Sequence, residues 1–159
     1  MWELYSNPVA VERFPQFDRC LDQEKVAWLK STLPKTLKVL NTKAPWMRGR
    51  WPRHVKCMST KRIIEGRSRG AGHGMTYVRG RGSDSIWINK HMTAWGHWLV
   101  FTHEFLHHAY PDATEGELNC EHLGDVFERV FKKRYDHEWA RKNGVGSPVA
   151  NVGDRSFCR

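Results

Sequence analysis

The segment 92–110, MTAWGHWLVFTHEFLHHAY, constrains the fold of this chain more than any other feature, because it is apolar on nearly every side. With one residue every 100°, a helix of this sequence carries large side chains all around its axis, so it must be buried. Its large apolar residues are Trp95, Trp98, Leu99, Phe101, Phe105 and Leu106. We expect this helix to be capped by Thr93 and to end before Pro111.

Three of the polar side chains in this mostly apolar helix, His103, Glu104 and His107, form an HExxH pattern. The two histidines lie about 40° apart on one face, one turn along, so both imidazoles can reach one metal ion. Glu104 lies beside them, where its carboxylate can accept a proton from a metal-bound water. Core histidines satisfied by backbone carbonyls are the alternative, but burying these groups without a common partner is costly. The pattern therefore predicts a zinc site with Glu104 as general base.

A second helix follows at once. The sequence TEGE at 114–117 is a capping box, in which Glu117 reaches back to the amide of Thr114, and we expect the helix to continue to about Asp136. A third histidine of the metzincin kind is excluded, because Ala113 occupies its position. The third zinc ligand is therefore expected on this second helix.

Three residues of the second helix are candidates for that ligand. Glu121 is our first choice because it lies deeper in the helix, whereas Glu117 already has a role in the capping box; His122 is the third choice. Asp125 lies four residues after Glu121 on the same face, where it could orient a histidine ligand through its second ring nitrogen.

These motifs resemble those of gluzincin metallopeptidases, which pair HExxH with a downstream ExxxD on the next helix. The run EHLGDVF is also similar to the E-x-x-A-(N/D)-x-F segment of small bacterial and phage metallopeptidases, with Gly124 in place of the alanine. The resemblance covers roughly residues 84–132. It implies peptide-bond hydrolysis at a Zn²⁺ ion, with Glu104 as general base and acid. The implied zinc ligands are His103, His107 and Glu121, with Asp125 as a supporting residue behind them.

Amide hydrolysis passes through an oxyanion that needs a hydrogen-bond donor in addition to the metal. Tyr110, His122 and Tyr135 are the candidate donors, and the sequence does not choose among them. His108 points about 100° away from His107, so we expect it to be exposed beside the site and not to be a ligand.

The chain upstream of the central helix predicts a small sheet. Short β-branched or aromatic stretches, separated by glycine-rich breaks, predict three or four strands in an antiparallel or mixed arrangement. These stretches are HVKCM (54–58), RIIEG (62–66), MTYVRG (75–80) and SIWIN (85–89). The glycine-rich residues 66–74 predict a mobile loop, and DQEKVAWLKSTL (22–33) predicts an amphipathic helix that Pro34 ends. We expect an α+β fold in which the sheet packs on the HExxH helix and on the glutamate-bearing helix.

The positive charge is concentrated in one part of the chain. Residues 30–81 hold 14 Lys or Arg and one acid, giving this basic segment +13 within a chain of net charge +9. Inside it, two tryptophans alternate with three arginines, the mixture that stacks on bases and holds phosphates. These residues are Trp46, Arg48, Arg50, Trp51 and Arg53. The basic segment therefore predicts nucleic acid or a nucleic-acid-bound protein as a partner, with a solubilising surface as the alternative.

A chain of 159 residues is long enough to fold as one domain without disulfide or metal staples. We expect one domain over residues 1–142, including the basic segment 30–81, and a loosely structured tail over 143–159. No apolar run is long enough to span a bilayer, and the first residues lack the features of a signal peptide, so neither a membrane contact nor secretion is expected. The cysteines form no CxxC pair, which favours reduced thiols and a cytoplasmic location. They are Cys20, Cys57, Cys120 and Cys158.

The function that we predict is zinc-dependent hydrolysis of a protein or peptide substrate by a metal-activated water. Two alternatives stay open. The first is a nucleic-acid-binding or assembly protein that retains a zinc site without turnover, and the second is a metal-dependent hydrolase of a non-peptide amide. Three protein ligands with an open water position would favour an enzyme, whereas four protein ligands would favour a structural site.

Overall fold

The structure, a computed structural model, describes residues 14–58 and 74–143. Four strands are present in this part of the chain: β1 (Gln16–Phe17), β2 (His54–Met58), β3 (Gly74–Thr76) and β4 (Ser85–Asn89). The helices are α1 (Gln23–Lys43), α2 (Ala94–Ala109), α3 (Glu115–Glu117), α4 (Gly124–Phe131) and α5 (His137–Asn143). A 3₁₀ turn (Pro45–Met47) follows α1, and a π-helical segment (Leu118–Leu123) joins α3 to α4. The predicted α+β fold is confirmed.

The strands form one mixed sheet in the order β1-β2-β4-β3. β1, β2 and β4 run parallel, and β3 pairs antiparallel with β4 at one edge. Val55, Ile86 and Ile88 are fully buried on the face that packs against α2. Side chains alternate along a strand, so Lys56 and its neighbour Trp87 lie on the opposite face.

The predicted strands at 54–58 and 85–89 are confirmed. The stretch 75–80 forms a shorter strand than predicted, because β3 ends at Thr76. The predicted strand at 62–66 lies outside the described residues, and so does the predicted loop at 66–74 except for Gly74, which begins β3. The two-residue β1 was not predicted, since so short a strand leaves no alternation to recognise.

Helix α1 is longer than predicted, because Pro34 lies inside it instead of ending it. A proline within a helix removes the hydrogen bond to the carbonyl four residues earlier, here that of Lys30. Both Pro34 and Lys30 are exposed, so water can replace this bond. Beyond the proline, Leu37 and Leu40 are buried in the core. The prediction that the helix ends at Pro34 was wrong. Packing of the second half of the helix in the core outweighs the free-energy cost of a proline inside the helix.

Helix α2 is the predicted buried helix and lies at the centre of the fold. The hydroxyl of Thr93 accepts a hydrogen bond of 2.9 Å from the amide of Gly96, which caps the first turn as expected. The helix ends at Ala109, before Pro111. Its fully buried large side chains are Trp98, Leu99, Phe101, Phe105 and Leu106.

The second predicted helix begins at the predicted capping box. The Thr114 hydroxyl accepts from the Glu117 amide at 3.0 Å, and the Glu117 carboxylate accepts from the Thr114 amide at 2.8 Å. The helical backbone continues through the π-helical segment and α4, and it ends at Lys132, which adopts a left-handed conformation with φ 56°. The helix therefore stops short of Asp136, whose side chain instead accepts a hydrogen bond from the amide of Glu138 in α5.

Cys20 and Cys57 form a disulfide with Cα atoms 6.2 Å apart, so the prediction of reduced thiols was wrong. The parallel pairing of Phe17 with Val55 brings these cysteines together, although 37 positions separate them along the chain. Cys120 is also disulfide-bonded. None of the described helices has the length and apolarity needed to cross a bilayer. Residue 143 ends α5, and the rest of the predicted tail lies outside the described residues.

Candidate metal centre

Three side chains converge where α2 meets the start of α3. The Nε2 atom of His103 lies 3.0 Å from one carboxylate oxygen of Glu115, and the Nε2 atom of His107 lies 3.1 Å from the other. The ligand atoms of these three residues all lie within 4.8 Å of one another, so they could hold one metal ion. The helical spacing of the two histidines is as predicted, but Glu115 was not among the predicted ligands.

Within the described residues, Glu115 takes the position that we assigned to Glu121. Glu121 is exposed further along the helical run, and Glu117 is engaged in the capping box. His122 stacks on Tyr110 with ring centroids 3.9 Å apart. The crossing of α3 over the end of α2 decides this outcome, because it brings the first helical residue after Thr114, and not a residue of the later turns, to the two histidines.

The second ring nitrogen of His103 has a partner that the sequence analysis missed. His103 Nδ1 lies 2.8 Å from the side-chain oxygen of Asn119, and both residues are buried. Asn119 belongs to the π-helical segment, which changes the direction in which its side chains point. Asp125, which we expected in this orienting role, instead pairs with Lys43 at 2.9 Å and with Arg129 at 3.0 Å.

These contacts determine the protonation of His103. An amide oxygen can only accept a hydrogen bond, so Nδ1 donates its proton to Asn119 and Nε2 is the nitrogen that faces Glu115. A carboxylate is also only an acceptor, so the close Nε2–carboxylate contacts require positive charge between them, either a proton or a cation. Two imidazole nitrogens and a carboxylate around one point could therefore hold a metal ion.

The pKa shifts at the site reflect the same need for positive charge. Burial lowers the pKa of His103, but the hydrogen bond to Glu115 and the charge of Glu104 outweigh it, so the pKa lies above its ordinary value. Burial raises the pKa of Glu115, but the hydrogen bonds to both histidines dominate and hold it well below its usual range. A carboxylate that stays ionised beside two imidazoles is a suitable ligand for a cation.

Glu104 lies next to the ligand group without belonging to it. Its carboxyl is buried, and burial raises its pKa although the charges of both histidines lower it. Strand β3 passes close by, since a Cβ atom on Gly74 would clash with the Val100 side chain of α2 and would lie 3.1 Å from a Glu104 oxygen. Glycine is therefore required where β3 approaches α2.

The site opens into a cavity of about 340 Å³ between α2, α3 and β3. Its lining is Gly74, Met75, Thr76, Val78, His103, Glu104, His107 and Glu115. The cavity thus places the candidate ligands and Glu104 opposite an edge strand of the sheet.

His108 is not a member of the ligand group, as we expected, but it is half-buried and not exposed. Its Nε2 atom lies 2.8 Å from the hydroxyl of Thr76 in β3. Burial and the neighbouring charge of His107 lower the pKa of His108 to about 4. His108 therefore connects the helix to the edge strand in its neutral form.

The three predicted oxyanion donors do not line the cavity. Tyr110 stacks on His122 on the side of α2 where Trp46 packs. Tyr135 is buried against Phe127 and next to the backbone of Gly124. All three residues take part in packing between elements.

The predicted nucleic-acid residues separate in the structure. Trp51 is a core residue, because its ring stacks on Phe105 at 5.2 Å and its indole N–H donates to Asn41 at 2.8 Å. Trp46 remains 52% exposed and donates to the carbonyl of Ala109 at the end of α2. The arginines of this stretch are all exposed: Arg48, Arg50 and Arg53.

Comparison with known proteins adds no family to this description. The chain matches no protein-family model, no curated protein and no solved structure. The fold and the site define the chain as an α+β protein with a candidate metal centre. Its buried helix and the turn that follows bring two imidazoles and one carboxylate together.

Proposed function

We propose that this chain is a zinc-dependent metallopeptidase. The observation that carries the proposal is the convergence of His103, His107 and Glu115 beside a buried Glu104 that is not itself a ligand. Three protein ligands leave the fourth position of a tetrahedral zinc for water, which is the arrangement of catalytic sites and not of structural ones. When bound, Zn²⁺ lowers the pKa of that water and polarises a carbonyl oxygen.

Glu104 is the residue that moves the proton. Its carboxyl lines the same cavity as the ligands, so it can accept a proton from a water in the cavity and pass it to a leaving amine. Burial raises the pKa of Glu104, which makes it a stronger base than an exposed carboxylate. The π-helical Asn119 holds the His103 ring in one tautomer, so the nitrogen that faces Glu115 stays free to bind.

An extended peptide fits the geometry better than a compact amide. β3 is an edge strand, and within the described residues its outer hydrogen-bonding edge has no strand partner. A peptide laid along this edge would gain main-chain hydrogen bonds, and its scissile bond would lie over the cavity. The HExxH part of the resemblance, His103, Glu104 and His107, supports the same class of reaction, with Glu115 as the glutamate ligand; Glu121 and Asp125 do not contribute to this support.

The test separates metal binding from proton transfer. Glu104→Gln should keep one zinc per chain but lose roughly 10²–10⁴-fold in the rate of peptide cleavage, since general-base catalysis contributes about that much. Glu115→Gln should lose zinc on dialysis, whereas the matched variant Glu121→Gln should retain it. Zinc content is measured by elemental mass spectrometry, and cleavage is followed by mass spectrometry on a diverse peptide library.

Two outcomes would overturn these assignments. Zinc retention by Glu115→Gln together with zinc loss by Glu121→Gln would move the third ligand to Glu121. Wild-type protein that carries one zinc per chain and cleaves no peptide in the library would exclude the peptidase and leave a zinc site without turnover.

A further inference from the structure

The face of the sheet opposite α2 carries aromatic and cationic side chains in one row. Lys56, Trp87 and Met75 are neighbours across β2, β4 and β3, and Tyr77 follows immediately after β3. We call the surface formed by Lys56, Trp87, Met75 and Tyr77 the outer face. Met75 also lines the cavity of the metal site, whereas Lys56, Trp87 and Tyr77 do not.

The aromatic rings of the outer face are held in place and remain accessible. Tyr77 meets Trp87 edge to face with ring centroids 5.6 Å apart, and it is 49% exposed. Gly82 approaches so closely that a Cβ atom there would lie 3.1 Å from the Tyr77 ring. The Lys56 ammonium lies 5.5 Å from the centre of the Trp87 ring. A half-exposed ring whose orientation is already set offers a stacking surface at little cost in entropy.

Arginines surround one end of this face. The amide of Arg53 donates to the carbonyl of Asp84, which places Arg53 beside the connection between β3 and β4 that carries Arg79 and Arg81. All three arginines are exposed, and among the described residues none of them forms an ion pair. Their charges are therefore available to an anionic partner.

The surroundings of Trp46 are less suitable for such a partner. Trp46 packs edge-on against Tyr110, which stacks on His122. Four charged groups act on His122, one cation (Lys43) and three carboxylates (Glu121, Asp125 and Glu117), so carboxylates outnumber the cation at this second aromatic cluster. These carboxylates disfavour a polyanion there, whereas the connection between β3 and β4, residues 77–84, contains a single acid, Asp84.

We propose that the outer face binds single-stranded nucleic acid, with a base stacked on Tyr77 and phosphates held by Lys56 and the three arginines. Exposed rings between cations are the arrangement by which proteins bind unpaired strands, because every base has a π-face and every nucleotide a phosphate. A duplex already stacks its bases on one another, so it cannot use the ring of Tyr77 in this way. The proposal is independent of the peptidase, since it uses none of the metal-site residues.

The test measures binding of the full chain to a fluorescent oligo(dT) of 15 nucleotides by anisotropy, as a function of salt. Tyr77→Ala should weaken binding on the order of tenfold, and Tyr77→Phe should retain it, because stacking needs the ring and not the hydroxyl. Arg79→Gln with Arg81→Gln should weaken binding at low salt and should flatten the slope of log K against log salt by about 0.7 for each phosphate that the variant no longer neutralises.

The matched control is Arg48→Gln with Arg50→Gln, which removes the same charge from the arginine pair next to Trp46 and should leave affinity close to wild type. Equal weakening by the two arginine pairs would overturn the outer face as the site. An unchanged affinity in a folded Tyr77→Ala variant would also overturn it. Equal affinities for duplex and single-stranded DNA would do the same. Binding of the wild type to vesicles with 30% anionic lipid but not to oligo(dT) would replace nucleic acid by a membrane surface.

Discussion

The two ring nitrogens of His103 contact different residues, and this difference suits His103 to act as a metal ligand. Nδ1 donates to the buried side chain of Asn119, and Nε2 faces the carboxylate of Glu115. Asn119 Oδ1 accepts this hydrogen bond, whereas Asn119 Nδ2 is buried without a hydrogen-bond partner in the part of the chain that the structure describes. The contact of Nε2 with Glu115 leaves an imidazole nitrogen and a carboxylate directed at one point, which is the condition for binding a cation.

At this scale we expect Asn119→Ala to weaken zinc affinity by about 10–100-fold, because His103 loses the acceptor that holds its ring in place. The dissociation constant is measured by competition with a chromogenic chelator. Asn119→Asp serves as the control, since it retains an oxygen acceptor and should bind zinc at least as well as Asn119→Ala. Equal affinities in wild type and Asn119→Ala would show that the contact does not orient His103.

Two elements depart from regular helical geometry, and both departures affect the site or the core. The π-helical segment Leu118–Leu123 buries Leu118, Asn119 and Leu123, so that an amide reaches the back of His103. In α1, Pro34 interrupts the hydrogen bonds on the exposed side without ending the helix. In each element, the free energy gained from tertiary packing outweighs the free-energy cost of the irregular helical geometry.

Replacement of Pro34 tests how much the proline inside α1 lowers the stability of the protein. Pro34→Ala should raise the free energy of unfolding by about 2 kcal/mol, since proline in a helix interior costs about 3 kcal/mol and about 1 kcal/mol returns through the more flexible unfolded chain. Lys35→Ala, at the exposed neighbouring position, should change it by less than about 0.5 kcal/mol. Both values come from urea unfolding followed by circular dichroism. A loss of stability in Pro34→Ala would mean that the core requires the shape that proline imposes on α1.

At the scale of the molecule, the Cys20–Cys57 disulfide encloses the whole of α1 in a covalent loop. It joins the chain before α1 to β2, and so fixes the helix to a sheet whose strands are only two to five residues long. Disulfides form and persist mainly in oxidising environments, and the cytoplasmic location stays a prediction.

Replacing both cysteines by serine should lower the free energy of unfolding by about 2–4 kcal/mol, because closing a loop of this length restricts the unfolded chain. The measurement is urea unfolding of the double variant against wild type under non-reducing conditions. Cys120 remains in place in both proteins, which keeps the comparison to one bond. Equal unfolding midpoints and slopes would show that the Cys20–Cys57 bond contributes nothing to stability.

Features that depend on residues within one or two helical turns followed from the sequence alone. The burial of α2, the Thr93 cap, the Thr114 capping box and the shared face of the two histidines all arise from the period of the helix and from short-range hydrogen bonds. The strands at 54–58 and 85–89 followed from β-branched and aromatic composition. These interactions involve residues that are close neighbours along the chain.

The tertiary structure alone decided which distant residues complete the site. Glu115 rather than Glu121 faces the two histidines because α3 crosses the end of α2 at its first turn, and Asn119 reaches His103 because the following helix widens. The same holds for the burial of Trp51 against Phe105 and for the pairing of Cys20 with Cys57. Each depends on how two elements cross in space, and neither helical period nor residue spacing along the chain specifies a crossing.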